Sequence, residues 1–359
     1  MFERKKIKRK LFVLSDIHGC LSVLKKELKR SKFDPNDDSH LLLILGDLFD
    51  RGEQNKETCE FLSTVKNKLV LRGNHEDILL KSLLSGVVGA QQELNGTVQT
   101  IAEFFPDYDG GAYLDVVSGK GRAAKDKLLN LIYSYPDYFE TDSYIFTHGW
   151  LPTREKSIRQ NWRRSTPPVW GIARWSRWYN FYEKSPIPEG KTLVIGHTHT
   201  RYAAEFDPSR PAGCCAPFFG KGMIAIDGGV VYSDTLNVLV LEDTLDAPAE
   251  LEIPMPRESY LSALQAKDKR VELMLNKGLA EDLRPGDLIT YRDPSTGASF
   301  SVRVVNVHLY HDVSDIYEDF SPSELGFDGS SEDFVRAIRR AYHYEEVADH
   351  GMLAVVFSR

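Results

Sequence analysis

The chain has 359 residues, 42% apolar and 27% charged, with a net charge of −7. At roughly 100–200 residues per domain this suggests two domains, or one large domain with an appendage, and a core of ordinary size, which excludes a disordered chain. Residues 1–250 carry 33 basic and 33 acidic side chains, whereas residues 251–359 carry 12 against 19. A uniformly basic nucleic-acid binder, with broad DNA binding, is thereby excluded; a local basic patch is not.

No apolar run reaches the roughly 18–20 residues that span a bilayer. The basic start MFERKKIKRK is followed by Leu11–Leu14, which stops at Ser15-Asp16 and is too short for the apolar region of a signal peptide. The expectation is a cytoplasmic protein with no membrane partner. Cys20, Cys59, Cys214 and Cys215 form no C-x-x-C pattern, so all four are expected to be reduced.

In chain order, short apolar runs predict strands at 10–15, 40–45, 68–71, 144–147, 192–195, 222–226 and 235–242. Periodic segments at 21–30, 56–65 and 77–84 suit amphipathic helices. Strands alternating with helices predict an α/β layered domain over 1–245. Residues 77–143 are expected to form a helical lid. The proline-bearing stretch 246–258 reads as a linker. A small α+β module follows at 259–359, with a helix near 259–277, strands near 288–292 and 300–309, an acidic loop, a helix at 331–342 and a last strand at 353–358.

Five stretches place metal-ligand residue types after these runs: Ser15-Asp16-Ile17-His18-Gly19, Gly46-Asp47-Leu48-Phe49-Asp50-Arg51-Gly52, Gly73-Asn74-His75-Glu76, Thr147-His148-Gly149 and Gly196-His197-Thr198-His199. Four follow the run within a residue or two, at strand C-termini, where α/β sheets carry their sites. Five of the six histidines in residues 1–250 fall in these motifs. A single Asp or His after a strand is usually a helix cap; five such stretches, each with a glycine, point instead to metal. Carboxylate, imidazole and amide donors suit borderline-to-hard divalent ions such as Mn, Fe or Zn. Two cations about 3.5–4 Å apart can share a carboxylate and a hydroxide and clamp an in-line phosphoryl transfer.

These motifs resemble the calcineurin-like metallophosphoesterases, in particular the phosphoprotein phosphatase branch with its bacterial and phage relatives, over residues 9–242. The resemblance implies a β-sandwich flanked by helices and two divalent metals, with manganese first and iron, zinc or magnesium as alternatives. It implies that Asp16 and His18 ligate one metal, that Asp47 bridges, and that Asn74, His148 and His197 complete the second. His199 would ligate the first metal, as in the wider metallophosphoesterase group. His75 would be the general acid oriented by Asp50, and Arg51 and Arg72 would bind the phosphoryl group. Asp227 in Ile226-Asp227-Gly228-Gly229 stands as a supporting residue or a turn aspartate.

All five tryptophans (150, 162, 170, 175, 178) fall within 29 residues, beside Arg154, Lys156, Arg159, Arg163, Arg164, Arg174 and Arg177 and one acid, Glu155. Arginine with aromatic faces suits nucleotide recognition; a cap helix packing its tryptophans on the sheet is the alternative. The run Val169–Trp175 resembles a Trp-x-Arg element that delivers a further phosphate-binding arginine, which makes Arg174 a candidate.

Residues 259–359 resemble the ASCH domain, a small PUA-like barrel, through Leu283-Arg-Pro-Gly286-Asp287-Leu-Ile289-Thr-Tyr291, Val302–Val307, Ser323–Phe327 and the closing Tyr344…Phe357. Of that family's polar motif Lys269 and Glu272 match, while Lys267 and Met274 depart from it. From Asp312 to Asp333 there are eight acids and no Lys or Arg, which speaks against tracking an RNA backbone.

The expected activity is phosphate-ester hydrolysis by direct attack of a metal-bridging hydroxide. The expected partners are a phosphorylated small molecule, a nucleotide or an RNA end. A phosphoprotein phosphatase with the C-terminal module as a docking unit is the alternative, and a non-enzymatic RNA-binding protein the second.

Overall fold

The computed structural model describes residues 2–114, 119–152, 161–254 and 268–359. Arg154, Glu155, Lys156, Arg159 and Lys267 lie outside them. The chain divides into two compact units. One is Lys6–Leu151 with Gly171–Leu245; the other joins Met1–Lys5 and Pro152–Trp170 to Asp246–Arg359.

In the first unit, β1 (Lys6–Leu14), α1 (Leu21–Arg30), β2 (His40–Ile44), α2 (Asn55–Thr64), β3 (Lys68–Val70) and α3 (Asn74–Ser85) come first. Then come α4 (Ala90–Leu94), α5 (Thr97–Phe104), α6 (Gly119–Tyr133), β4 (Tyr138–Glu140) and β5 (Tyr144–Thr147). After α7 (Pro167–Arg174) follow β6 (Thr192–Ile195), β7 (Phe218–Gly220), β8 (Met223–Ala225), α8 (Val230–Ser233) and β9 (Leu239–Asp246). One sheet has the order β3-β2-β1-β9 and the other β4-β5-β6-β8-β7. β1, β2 and β3 are parallel, as are β5, β6 and β8.

Alternation along β1 explains its unbroken apolar run. Leu11 and Val13 join Leu43, Leu45, Phe146, Val194 and Ile224 in a core shared by the two sheets. Phe12 and Leu14 point the other way, into a core with Leu24 and Leu28 of α1 and Leu79 and Leu83 of α3. A strand buried on both faces reads as continuously hydrophobic. With both sheets covered, the polar residues of the motifs can emerge only at the strand ends.

The second unit carries β10 (Glu250–Pro254), β11 (Val271–Leu275), β12 (Leu288–Arg292) and β13 (Ser299–Tyr310). Helices α9 (Val313–Asp319), α10 (Pro322–Leu325), α11 (Ser331–Ala341) and α12 (Tyr344–His350) lead to β14 (Met352–Ser358). Its sheet has the order β10-β12-β13-β14-β11. Leu353, Val355 and Phe357 of β14 face one core with Val302 and Val304. Met352 and Ala354 face the other, with Ile316, Phe334 and Val347.

Three expectations are corrected here. Of the helix drawn through 259–277, residues 259–267 lie outside the described residues, and Val271–Leu275 is a strand antiparallel to β14; its Glu, Leu and Met favour helix, but the buried edge position of the sheet outweighs propensity. The stretch read as linker holds β10, paired with β12. The acidic loop holds α9 and α10, because its acids serve helix starts: Asp312 accepts from Ser314 N and Glu324 forms a capping box with Ser321. Lys269 pairs with Glu272 of β11 at 3.3 Å.

Candidate metal centre

The motif loops leave β1, β2, β3, β5 and β6 at their C-terminal ends and are drawn together by backbone bonds. Asp16 N donates to Gly46 O at 3.1 Å, His18 N to Asp47 O at 3.0 Å and Gly196 N to His148 O at 2.9 Å. Nine non-glycine residues have positive φ among those described, and six are motif residues: Asp16, His18, Asp47, Asp50, Arg51 and His197. Such backbone costs of order 1–3 kcal/mol per residue and persists where surrounding contacts hold it. Gly46, at φ +89°, has no room for a Cβ, which would lie 2.6 Å from Gly73 N and 2.9 Å from His148 Nδ1.

Asp47 stands at the centre. Its carboxylate is 3.3 Å from His148 Nε2, 3.8 Å from His18 Nε2 and 4.0 Å from His75 Nε2. Among the described residues two groups able to hold a cation share it: His18, Asp47 and His75, and Asp47, His148 and His197. The His18 and His148 tautomers are fixed from behind. Each Nδ1 lies against a backbone carbonyl, Phe49 O at 2.7 Å and Leu45 O at 2.6 Å, so Nδ1 carries the proton and Nε2 faces inward. Asn74 Oδ1 lies 2.8 Å from both His148 Nε2 and His197 Nδ1. Asp47, Asn74 and the inward nitrogens of His18, His148 and His197 thus converge, and once His148 gives up its Nε2 proton this donor set fits a pair of divalent cations.

Burial favours the neutral form of the His148 ring, but Asp47 outweighs it and brings the group up to about 10. Burial also opposes the charge of Asp47, while His148 and His75 hold it well below the usual carboxylate range.

Asp16 and His199 lie outside both groups. Asp16 Oδ2 accepts from His197 N at 2.9 Å. His199 Nε2 is 3.8 Å from Asp227 Oδ2; burial, then the guanidiniums of Arg201 and Arg51, lower its imidazole to about 4. Asp227 is buried and accepts from Gly229 N at 2.8 Å.

His75 Nδ1 meets Asp50 Oδ2 at 2.7 Å. Burial opposes the imidazolium, yet Asp47 and Asp50 outweigh it and raise the group above the ordinary histidine value. Thr97 and Thr100 donate to the Asp50 carboxylate at 3.0 and 2.9 Å. The Arg51 guanidinium spans two rings, with Nη1 2.9 Å from His18 Nε2 and Nη2 3.0 Å from His75 Nε2. Arg72 Nε donates to Asp77 at 2.7 Å. Arg174 is buried; its Nε donates to the other Asp77 oxygen at 2.7 Å and its Nη1 to Asp137.

Sequence reasoning missed Glu76, Asp77, Thr97 and Thr100. Glu76 is fully buried and accepts from Asp47 N, Leu48 N and Gly73 N at 2.7–2.9 Å. It clasps the second motif to the third. Burial, then Asp47, push its carboxyl up to about 7. The signal for Glu76 was its place three residues after Gly73, a capping-box position. The threonines carry no such signal. Trp150, Trp162, Trp170 and Trp178 are buried, as the packing alternative expects, while Trp175 is exposed.

A family model for calcineurin-like phosphoesterases matches residues 9–217. The chain is 31% identical over 148 residues to serine/threonine-protein phosphatase 2 of Salmonella typhimurium, covering 40% of this chain and 60% of that protein. It is 39% identical over 71 residues to the symmetrical bis(5′-nucleosyl)-tetraphosphatase of Ectopseudomonas mendocina, covering 20% and 25%. It therefore spans less than two thirds of the length of these relatives. A solved structure of a cold-active protein tyrosine phosphatase aligns over 65% of this chain and 73% of its own, at 17% identity and a TM-score of 0.38. With a matched region of more than half its length and two histidine–aspartate groups inside that region, the chain belongs to the calcineurin-like phosphoesterase family of metal-dependent hydrolases.

Proposed function

We propose that the protein hydrolyses phosphate esters of nucleotides or RNA ends at a centre of two divalent cations, manganese first among them. The carboxylate of Asp47, common to both histidine groups, carries this reading. Asp16, His18 and Asp47 would hold one cation, and Asp47, Asn74, His148 and His197 the other. His199, beside Asp227, takes a place in the wall of the first site. When bound, the cations supply positive charge to the phosphoryl oxygens and lower the pKa of water.

The chain's own residues do the rest. Arg51 turns its fork to the phosphoryl group, and Arg72 offers its terminal nitrogens while Asp77 holds its Nε. His75 carries a proton at Nε2 and delivers it to the leaving oxygen; Asp50, held by two threonines, fixes the ring. Arg174, bound to Asp77 and Asp137, positions Asp77 and through it Arg72. Residues 268–359 are the described part of an ASCH-like module. What supports that reading is the sheet with its four helices and the turn at Gly286-Asp287; the module's ligand would be a single base or a protein surface rather than an RNA backbone.

The test is a manganese-supplemented panel: an aryl phosphate, a bis-aryl diester, a dinucleoside polyphosphate, an RNA 2′,3′-cyclic phosphate and a phosphopeptide. Turnover of the nucleotide substrates that a chelator abolishes and manganese restores is the expected result. No turnover on any member overturns the proposal. Preference for the phosphopeptide would establish the second reading, a phosphoprotein phosphatase, which the likeness to the Salmonella serine/threonine-protein phosphatase favours.

A further inference from the structure

Large rings that no step above uses gather around His197 and His199. Of the five tryptophans, Trp175 alone is exposed, at 45%, and the other four are at most 3% exposed. Its ring meets that of His197 edge-on, 6.2 Å between centroids. The His199 ring is within 16° of parallel to Tyr202 at 6.5 Å and lies 5.7 Å from Tyr232. Tyr202 is 36% and Tyr232 69% exposed. The Arg201 guanidinium stands 5.0 Å from the Tyr202 ring centre and donates to its hydroxyl at 3.1 Å. Gly229 lets this packing form: at φ +70° it lies so close that a Cβ would be 3.1–3.2 Å from the His199 ring.

Three large rings from three stretches of chain are left partly exposed around the His197–His199 turn, while the segment that carries Trp175 buries its other four tryptophans. Exposed aromatic surface beside a polar centre marks a binding site. The ligand it fits joins a flat ring to a phosphate: the ring stacks on an aromatic face, while guanidinium pairs with phosphate oxygens. A bare sugar phosphate would use only the second half of that arrangement.

We propose that Trp175, Tyr202 and Tyr232 form a base-stacking subsite beside the metal centre, which takes the nucleobase of a nucleoside phosphate, with Arg201 meeting a phosphate of the same molecule. The subsite rests on the phosphoesterase reading and narrows its substrate class to nucleotides.

The experiment uses the whole protein, with tryptophan emission as the readout, titrated with adenosine 5′-monophosphate and in parallel with ribose 5-phosphate. The base should quench the exposed component of the emission and the sugar phosphate should not. Trp175→Phe should abolish the quench, and Tyr202→Ala should weaken binding roughly tenfold. In turnover, the ratio of kcat/KM for a nucleoside triphosphate over inorganic tripolyphosphate should fall roughly tenfold in Tyr202→Ala and Tyr232→Ala, through KM. No quench, equal quenching by ribose 5-phosphate, or a quench that survives in Trp175→Phe overturns the subsite. A base-dependent quench in a protein that hydrolyses no phosphate ester leaves the subsite standing and removes the activity; hydrolysis without the quench does the reverse.

Discussion

Two buried carboxylates, one in each unit, have been given opposite work. Asp47 in the phosphoesterase unit faces three imidazoles and sits in two groups that can hold a cation. Asp287 in the C-terminal unit faces the guanidinium of Arg4 at 2.6 and 2.8 Å and accepts from Ala249 N and Arg284 N, both at 2.8 Å. Both are almost fully buried. A carboxylate matched by a permanent cation and backbone donors is neutralised by the fold itself and acts as a clamp. One matched by groups that can lose their protons is left to be neutralised from outside. Burial alone therefore does not mark a functional acid; the chemistry of its neighbours does.

Substitutions can break this contrast. The largest effect should come from Asp47→Asn, which removes the shared ligand: metal content should fall and kcat should drop by on the order of 10³-fold or more. Metal analysis with steady-state kinetics checks both, and a variant with full metal and normal rate would end the assignment. Asp287→Ala should cost up to about 3 kcal/mol in the C-terminal unit, because it takes from the buried Arg4 side chain its nearest carboxylate and leaves it only Asp282 at 3.9 Å. Denaturant unfolding measures that loss, and bound metal should be retained. If Asp287→Ala instead strips the metal, the division of labour between the two acids is wrong.

His75→Asn sharpens the contrast within the centre. It should keep the metals and slow turnover by about 10²–10⁴-fold on substrates with poor leaving groups, and much less on good ones. Equal losses on both would remove the proton-donor role.

The smallest effect concerns Asp293. Hydrogen bonds from Ser295, then Thr296, hold its carboxyl down to about 2. A depressed pKa gives stability that is present above the unfolded value near 3.8 and is lost as pH falls toward 2. The difference in melting temperature between the parent and Asp293→Asn should be constant above about pH 4 and shrink below it.

The phosphoesterase unit was far more legible in the sequence than its companion. Strands such as Leu11–Leu14, apolar without alternation and ended by Asp, His or Gly, declare both a doubly covered sheet and the edge where chemistry collects. β11 declares nothing of the kind. Val271–Leu275 is short, built from helix-favouring residues, and becomes a strand because β14 offers it a partner far away in sequence. Within the site, donors to metal were legible by residue type and glycine spacing, but their supports were not. Glu76 and Asp77 look like ordinary acids of a first helical turn, and Thr97 and Thr100 like ordinary helix residues, until the fold brings Asp50 and the Asp47 backbone against them. The separate fates of Trp175 and its four buried neighbours likewise depend on contacts that no local pattern encodes.

The C-terminal unit is assembled from three separated stretches of chain, the first at the N-terminus and the last ending at Arg359. The middle one holds the Ser165 carbonyl that His308 Nδ1 meets at 2.6 Å. On a ribosome, which releases the chain from its N-terminus, the first two stretches emerge long before β13 and β14 exist. Arg4 waits for Asp287, and Ser165 for His308, through most of synthesis, while every strand of the phosphoesterase unit is already out. The last unit to close thus depends on segments made well before its own sheet. A chain cut short after Leu245 would keep every proposed metal ligand yet strand the segment around Trp162 and Trp170 without the core it was made for.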